Sequence, residues 1–159
     1  VYDKVSRFFD DEKMVTRICK LSMALVMISR GIPFINSGEE FLRTKHGIDN
    51  TYNLDDSINM LDWHRTNNYL DVARYFSDLC LLRKTYKEFT REDTSVEFID
   101  YYEVLIYKLG DLTIYINPCI FDHVYNDEME HEVIFDDSGF VNYKRSVLKI
   151  KAFSILITK

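Results

Sequence analysis

The sequence is poor in the features that mark several functional classes. Its longest apolar stretch, Leu21 to Ile28, is closed by Arg30, Gly31 and Pro33. That is well short of the roughly 20 residues a bilayer-spanning helix needs, so no transmembrane helix is expected. Cysteine is sparse. Cys19, Cys80 and Cys119 are odd in number, far apart and without C-x-x-C spacing, which suggests neither a disulfide framework nor a zinc cluster; all three are expected as free, buried thiols. Free thiols favour a reducing, cytoplasmic compartment. Secretion stays open, because the chain begins VYDKVSRFF, with no initiator Met and no basic-then-apolar signal pattern, and reads as a piece of a longer polypeptide. Cations are outnumbered, with 20 Lys and Arg against 26 Asp and Glu and a net charge of −6. That balance opposes a nucleic-acid backbone and an anionic membrane surface, and neither is expected as a partner.

Several chemical signatures are missing too. There is no G-x-S-x-G elbow, no Walker loop and no dinucleotide fingerprint. His46, His64, His123 and His131 show no H-E-x-x-H or related spacing, and DEMEHEVIFDD (127–137) does not meet the calcium-loop pattern. No metal and no cofactor are expected. Three adjacent acid pairs invite a glycosidase reading: Glu39 with Glu40, Asp55 with Asp56, and Asp136 with Asp137. Retaining enzymes need carboxyls about 5 Å apart across the bond, and inverting ones roughly 6.5 to 9.5 Å. Neighbours at a strand end point to opposite faces, and adjacent acids in loops serve more often as turn formers and caps.

What is present is a globular composition, 47% hydrophobic and 14% aromatic over 159 residues, ample for a packed core. DDEKMVTRICKLSMALVMISRG reads as a helix, with Asp10 or Asp11 as its cap and Gly31 placed to stop it. Met14, Ile18, Leu21, Leu25 and Ile28 share one face, and the second half is apolar all round, so that cover is expected on most sides. GIPFINSGEEF follows as a short strand buried on both faces, as in a parallel sheet. Next comes a loop of about 25 residues, LRTKHGIDNTYNLDDSINMLDWHR, a length that in compact domains is usually functional. A second amphipathic helix starts from Asn67 or Asn68 as N-cap, with Val72, Phe76, Leu79 and Cys80 inward and Arg83, Lys84 and Lys87 at its negative dipole end. After TREDTS (90–95) the period changes to two, and residues 92 to 159 read as a small antiparallel β-sandwich.

The long loop carries Arg43, Asn50, Tyr52, Asn53 and Asp55. Planar amides, a carboxylate and an aromatic ring suit a sugar, whose hydroxyls take bidentate polar partners and whose ring face takes a flat apolar surface. A solvated polar loop is the plainer alternative. A separate reading makes the tail a non-catalytic carbohydrate-binding or structural module, using Tyr101, Tyr102, Tyr107 and Tyr115 on its strands.

SRGIPFINSGEEFLRTKHGIDNTYNLDDSINMLDW (29–63) resembles a stretch of the type I pullulanases and related α-1,6-glucan debranching enzymes of the α-amylase superfamily of glycoside hydrolases. There it reads approximately GIPF-x-x-(S/A)-G-(Q/E)-E-F-x-R-(T/S)-K-x-G-x-x-N-S-Y-N-x-x-D-x-x-N-x-x-D-W. The resemblance implies an α+β chain: the last strand and helices of a (β/α)8 barrel, followed by a C-terminal antiparallel β-sandwich. Residues 1–91 would hold helix seven, strand eight, loop eight and helix eight; residues 92–159 would form the terminal domain. VYDKVSR is similar to the residues that follow the family's His-Asp-Asn motif.

That placement would put the aspartate nucleophile, the glutamate acid/base and the transition-state-stabilising aspartate upstream of Val1, so no catalytic residue is expected in the chain. One strand and its loop contribute only a wall of a barrel site. Asn50, Tyr52, Asn53 and Asp55 would line glucose subsites, with Glu40 and Arg43 in structural support. Glu39 stands where many members have Gln, and Thr51 where Ser is usual. Trp63 could stack on sugar or anchor the loop by packing. The expected partner is an α-glucan, bound by the full-length enzyme. Exposed barrel surfaces are expected to favour self-association of the isolated chain.

Overall fold

The computed structural model describes residues 1–159, apart from the side chain at position 127, the first of the acidic run 127–137, which lies outside the described residues. A four-residue helix, Tyr2–Val5 (α1), precedes the long helix Glu12–Ile28 (α2). Asp11 caps α2, its carboxylate accepting the Lys13 N–H at 2.9 Å. The face of α2 that is buried runs through Val15, Cys19, Met23, Ala24 and Met27. Leu21 and Ile28 of the expected stripe are buried as well, so the apolar second half is covered on most sides; Leu25 and Val26 remain 40% and 38% exposed.

The chain leaves α2 through Gly31, at φ 111°, and runs through Ile32–Ile35 outside any helix or strand. This corrects the expectation of a doubly buried strand. A parallel strand is defined by its neighbours, and this chain supplies none; Ile32 is 99% exposed and Phe34 85%. The long connection that follows is not irregular throughout. It contains a 3-10 turn, Glu39–Phe41, and two short helices, Asp56–Asn59 (α3) and Arg65–Asn68 (α4).

The second long helix is Leu70–Thr85 (α5). Its N-cap is Tyr69, which makes no side-chain capping bond, and Asn68 instead closes α4. Val72, Tyr75, Leu79 and Leu82 are buried, Phe76 is half-buried, and Cys80 is exposed, against its expected inward place. Only Cys19 among the thiols is buried; Cys119 is half-buried. Arg83 is buried too, turned toward the carbonyl groups at the end of α2.

Six strands make the rest: β1 (Val96–Tyr101), β2 (Val104–Leu109), β3 (Leu112–Asn117), β4 (His123–Asp136), β5 (Gly139–Ile150) and β6 (Ser154–Thr158). They form one antiparallel sheet in the order β1-β2-β3-β6-β4-β5. The fold is sandwich-like, but it is built from one continuous sheet that curls on itself. Tyr101 of β1 and Tyr125 of β4 are four strand spacings apart along the sheet, about 19 Å if it were flat. Their rings meet at 5.0 Å.

Alternation then gives two cores. Leu109, Leu112, Ile114, Ile155 and Ile157 face the helices, where α2 packs on β6 and α5 on β5. Val104, Ile106, Tyr115, Val133, Leu148 and Leu156 fill the inside of the curl. At the β4–β5 turn a Cβ on Gly139, at φ 105°, would collide with the Asp78 carboxylate of α5. The positive φ favours glycine where the hairpin meets that helix, and a side chain there would also have to push the Asp78 carboxylate aside.

Candidate functional site: the 38–63 loop

Gly38 opens the loop at φ 98°, and its carbonyl accepts the Arg43 N–H at 2.8 Å. The Glu40 carboxylate reaches back to accept the Gly38 N–H at 2.8 Å, closing the turn on itself. Phe41 and Leu42 are buried beneath it, Phe41 with its ring 5.2 Å from that of Trp63, whose side chain is otherwise 64% exposed. Arg43 donates from Nη2 to the Asn59 carbonyl, while its buried Nε has no hydrogen-bond partner among the described residues.

The N-terminal segment holds the next stretch. Asp3 accepts from the Thr44 hydroxyl and from the Lys45 N–H at 2.7 Å. Burial opposes ionisation of Asp3, but these hydrogen bonds outweigh it and bring the carboxyl below its ordinary range. Lys4 and Arg7 both pair with Asp49, and Arg7 also donates to the Gly47 carbonyl.

The four expected sugar contacts lie on the segment 50–55, which is pinned from below. Thr51 is buried, its hydroxyl accepting from Lys45 Nζ at 2.6 Å, and Asn59 Nδ2 donates to the Thr51 and Leu54 carbonyls at 2.7 and 3.0 Å. Asn50, Tyr52, Asn53 and Asp55 are exposed, Tyr52 at 84%. Asp55 also has a structural task, since its Oδ1 accepts the Ser57 N–H at 2.8 Å and caps α3. That bond lowers the Asp55 pKa below the usual carboxylate range. Five surface clefts of about 140 to 380 Å³ are lined by other residues. One of them, about 140 Å³, lies between α2 and the unpaired segment, against Cys19, Met23, Val26, Phe34 and Ile35.

No family model matches the chain. It is 31% identical over 138 residues to a pullulanase of Bacillus subtilis (strain 168), an alignment covering 76% of this chain and 19% of that enzyme. A pullulanase from Bacillus acidopullulyticus superposes with a TM-score of 0.89 at 26% identity, covering 99% of this chain and 22% of that one. The chain belongs to the pullulanase-type family. A second solved pullulanase, from Anoxybacillus sp. LM18-11 in complex with maltotetraose, shares the fold at a TM-score of 0.87, with 99% of this chain and 25% of that one covered. The chain thus spans about a fifth to a quarter of these pullulanases.

Within this pullulanase-type chain, the residues that organise the loop are mostly ones that chemistry-based reading passes over. Lys45 and Asn59 stand at fixed positions of the stretch that carries the resemblance but have no chemistry of their own to announce a role, and Arg65 lies outside it. Arg65 donates from Nε and Nη2 to the Leu42 carbonyl at 3.1 and 2.8 Å, over the rings of Tyr2 and Tyr69. The tyrosine face of the alternative module is not formed: Tyr107 and Tyr115 are buried, Tyr101 is half-buried between Tyr102 and Tyr125, and of the four only Tyr102 is well exposed. Among the described residues one set of metal-type ligands converges, Glu103, Cys119 and His123, away from the loop sequence.

Proposed function

We propose that this chain supplies the last units of a (β/α)8 barrel, in residues 1–91, and the terminal β-domain, in residues 92–159, of an α-1,6-glucan debranching hydrolase. Such an enzyme would cleave branch linkages in pullulan, glycogen or limit dextrins by double displacement with retention. The observation that carries this reading is the unpaired apolar segment Ile32–Ile35, with Ile32 and Phe34 exposed, which leads directly into an ordered polar loop. An apolar, β-branched and aromatic stretch without ladder partners fits a barrel strand whose neighbours belong to other parts of a longer polypeptide. The unpaired buried Nε of Arg43 fits the same picture, as a donor awaiting an acceptor from outside the chain.

In this reading Asn50, Tyr52, Asn53 and Asp55 touch the glucan. Tyr52 offers a flat face, and the amides and carboxylate bind hydroxyls. Glu40 holds the Gly38 turn and Arg43 ties it to Asn59, so they support the wall without contacting sugar. Thr51 keeps the hydroxyl of the Ser usual at that position and uses it on Lys45. No group of this chain breaks the glycosidic bond. The maltotetraose complex of the Anoxybacillus relative supports a maltooligosaccharide as the ligand class.

Titration of the isotope-labelled chain with maltotetraose tests the assignment. Amide shifts concentrated on residues 50–55, and lost in Tyr52→Ala and Asn53→Ala, are expected. Shifts confined to the strands around Tyr102 would instead make the β-domain a binding module and remove the loop from the site.

A further inference from the structure

We propose that Glu103, Cys119 and His123 form a binding site for one zinc-class transition-metal cation, with the fourth coordination position left to water. The site uses none of the residues assigned to glucan contact, and it stands or falls independently of that assignment.

The three residues come from separate segments. Glu103 sits in the two-residue turn between β1 and β2, Cys119 in the connection between β3 and β4, and His123 is the first residue of β4. Their ligand atoms all lie within 4.8 Å of one another, and His123 Nε2 is 3.7 Å from Glu103 Oε2. In a tetrahedral site with bonds of about 2.0 to 2.3 Å, ligand atoms stand roughly 3.3 to 3.7 Å apart. Closing the present triangle onto an ion needs only small side-chain movement.

Two observations mark the cluster as a built site. First, His123 Nε2 is buried and has no hydrogen-bond partner, a costly state for an imidazole nitrogen unless something else completes it. The Phe121 ring, 5.0 Å away, helps fix the imidazole plane. Second, the backbone beside the ligands is locked. Fully buried Asn117 accepts the Cys119 N–H at 2.9 Å and donates to the Phe121, Ile150 and Lys151 carbonyls. The Cys119 carbonyl accepts from the Phe153 N–H, and Asp122 accepts from the Ala152 N–H. The thiol itself lies against the Glu103 carbonyl at 3.8 Å. Such support is what holds a metal ligand at its post.

The donor set chooses the ion. A thiolate and an imidazole with one carboxylate suit zinc-class cations, whereas calcium and magnesium take oxygen ligands. The ligand charges, one thiolate and one carboxylate, neutralise a divalent cation. A coordinating thiol binds as the thiolate, so ion binding displaces the Cys119 proton to solvent. The ion would clamp the β1–β2 turn to the β3–β4 connection.

Cobalt(II) titration of the reduced full chain, followed by visible and near-ultraviolet absorption, tests this. Expected are a thiolate-to-cobalt band and intense four-coordinate d–d bands that saturate at one equivalent and vanish on adding zinc. The near-ultraviolet band is lost in Cys119→Ser and kept in Cys80→Ser; saturation is lost in His123→Gln and weakened in Glu103→Gln. Far-ultraviolet dichroism checks that each variant is folded, and if Cys119→Ser is not, the loss in His123→Gln decides. Absence of saturable binding, a band that survives Cys119→Ser, or one abolished by Cys80→Ser overturns the proposal.

Discussion

The Arg83 guanidinium lies 2.7 Å from the carbonyl oxygen of Ser29, the residue that ends α2. The same side chain donates to the carbonyls of Met27, Gly31 and Phe89, and it is buried with no carboxylate partner among these contacts. It closes the exit of α2, the start of the unpaired segment and the turn after α5 in one stroke.

Arg83→Ala should therefore leave several part-buried carbonyls unsatisfied and lower stability by about 3 kcal/mol. Arg83→Lys should recover only part of that, because a point charge cannot span carbonyls on three segments. Urea denaturation of the three proteins checks both, and an Arg83→Ala loss no larger than that of an exposed Arg would contradict the role.

Gly38 and Gly31 make a matched pair. Both have strongly positive φ, 98° and 111°, but a Cβ on Gly38 would stand 2.7 Å from Arg43 Cβ and 2.8 Å from its Cδ, while one on Gly31 meets nothing within 4 Å. Gly31→Ala should cost about 1 kcal/mol of backbone strain, and Gly38→Ala about 2 kcal/mol or more, because Arg43 must also move. Only Gly38→Ala should also perturb the amide spectrum of residues 50–55, since Arg43 ties the turn to Asn59 and Asn59 to Thr51.

Acid should loosen the loop through Asp3. Its folded pKa lies below the ordinary 3.8, with the hydrogen bonds from Thr44 and Lys45 outweighing burial. The stabilisation is complete above the unfolded pKa and is lost as pH falls through the folded one, which places the loss below about pH 4. Asp3→Asn cannot ionise, so its melting temperature should fall less between about pH 6 and pH 3 than that of the parent chain. Part of the acid slope should remain, because Asp49, Asp55 and Asp122 are lowered as well. Equal slopes in the two proteins would remove Asp3 from the account.

How much of this was legible in the sequence depends on whether the cause is local. Asp11 as a cap, α2 with its stop near Gly31, and the antiparallel strands after residue 95 follow from residue chemistry, and all form. The β1–β2 turn at Tyr102 and Glu103 carries no glycine, asparagine or proline, and Tyr102 takes φ 56° with nothing in its type to announce it. The curl of the sheet, which buries Tyr107 on one face and Tyr115 on the other, is a property of six strands together. Ile32–Ile35 has strand composition but no partner, so periodicity alone could not show that it stays unpaired. The convergence of Glu103, Cys119 and His123 is invisible to spacing rules because three separate segments bring them together.

The uncovered apolar surface has its own consequence. Ile32 and Phe34, with Leu25 and Val26 on the adjoining helix, are exposed together with the cleft that Phe34 and Val26 line. The isolated chain should self-associate with rising concentration, and Ile32→Lys with Phe34→Lys should suppress it. Sedimentation velocity over a concentration series checks this; a monodisperse parent monomer throughout would contradict it.

The central claim is that this chain forms a glucan-holding wall and leaves bond cleavage to groups it does not contain. Release of reducing ends from pullulan by the purified chain measures that directly. Background release, unchanged by Glu39→Gln, Glu40→Gln or Asp55→Asn, is the predicted result. Turnover above background that any one of those substitutions abolishes would place the catalytic carboxylates in this chain and contradict the account.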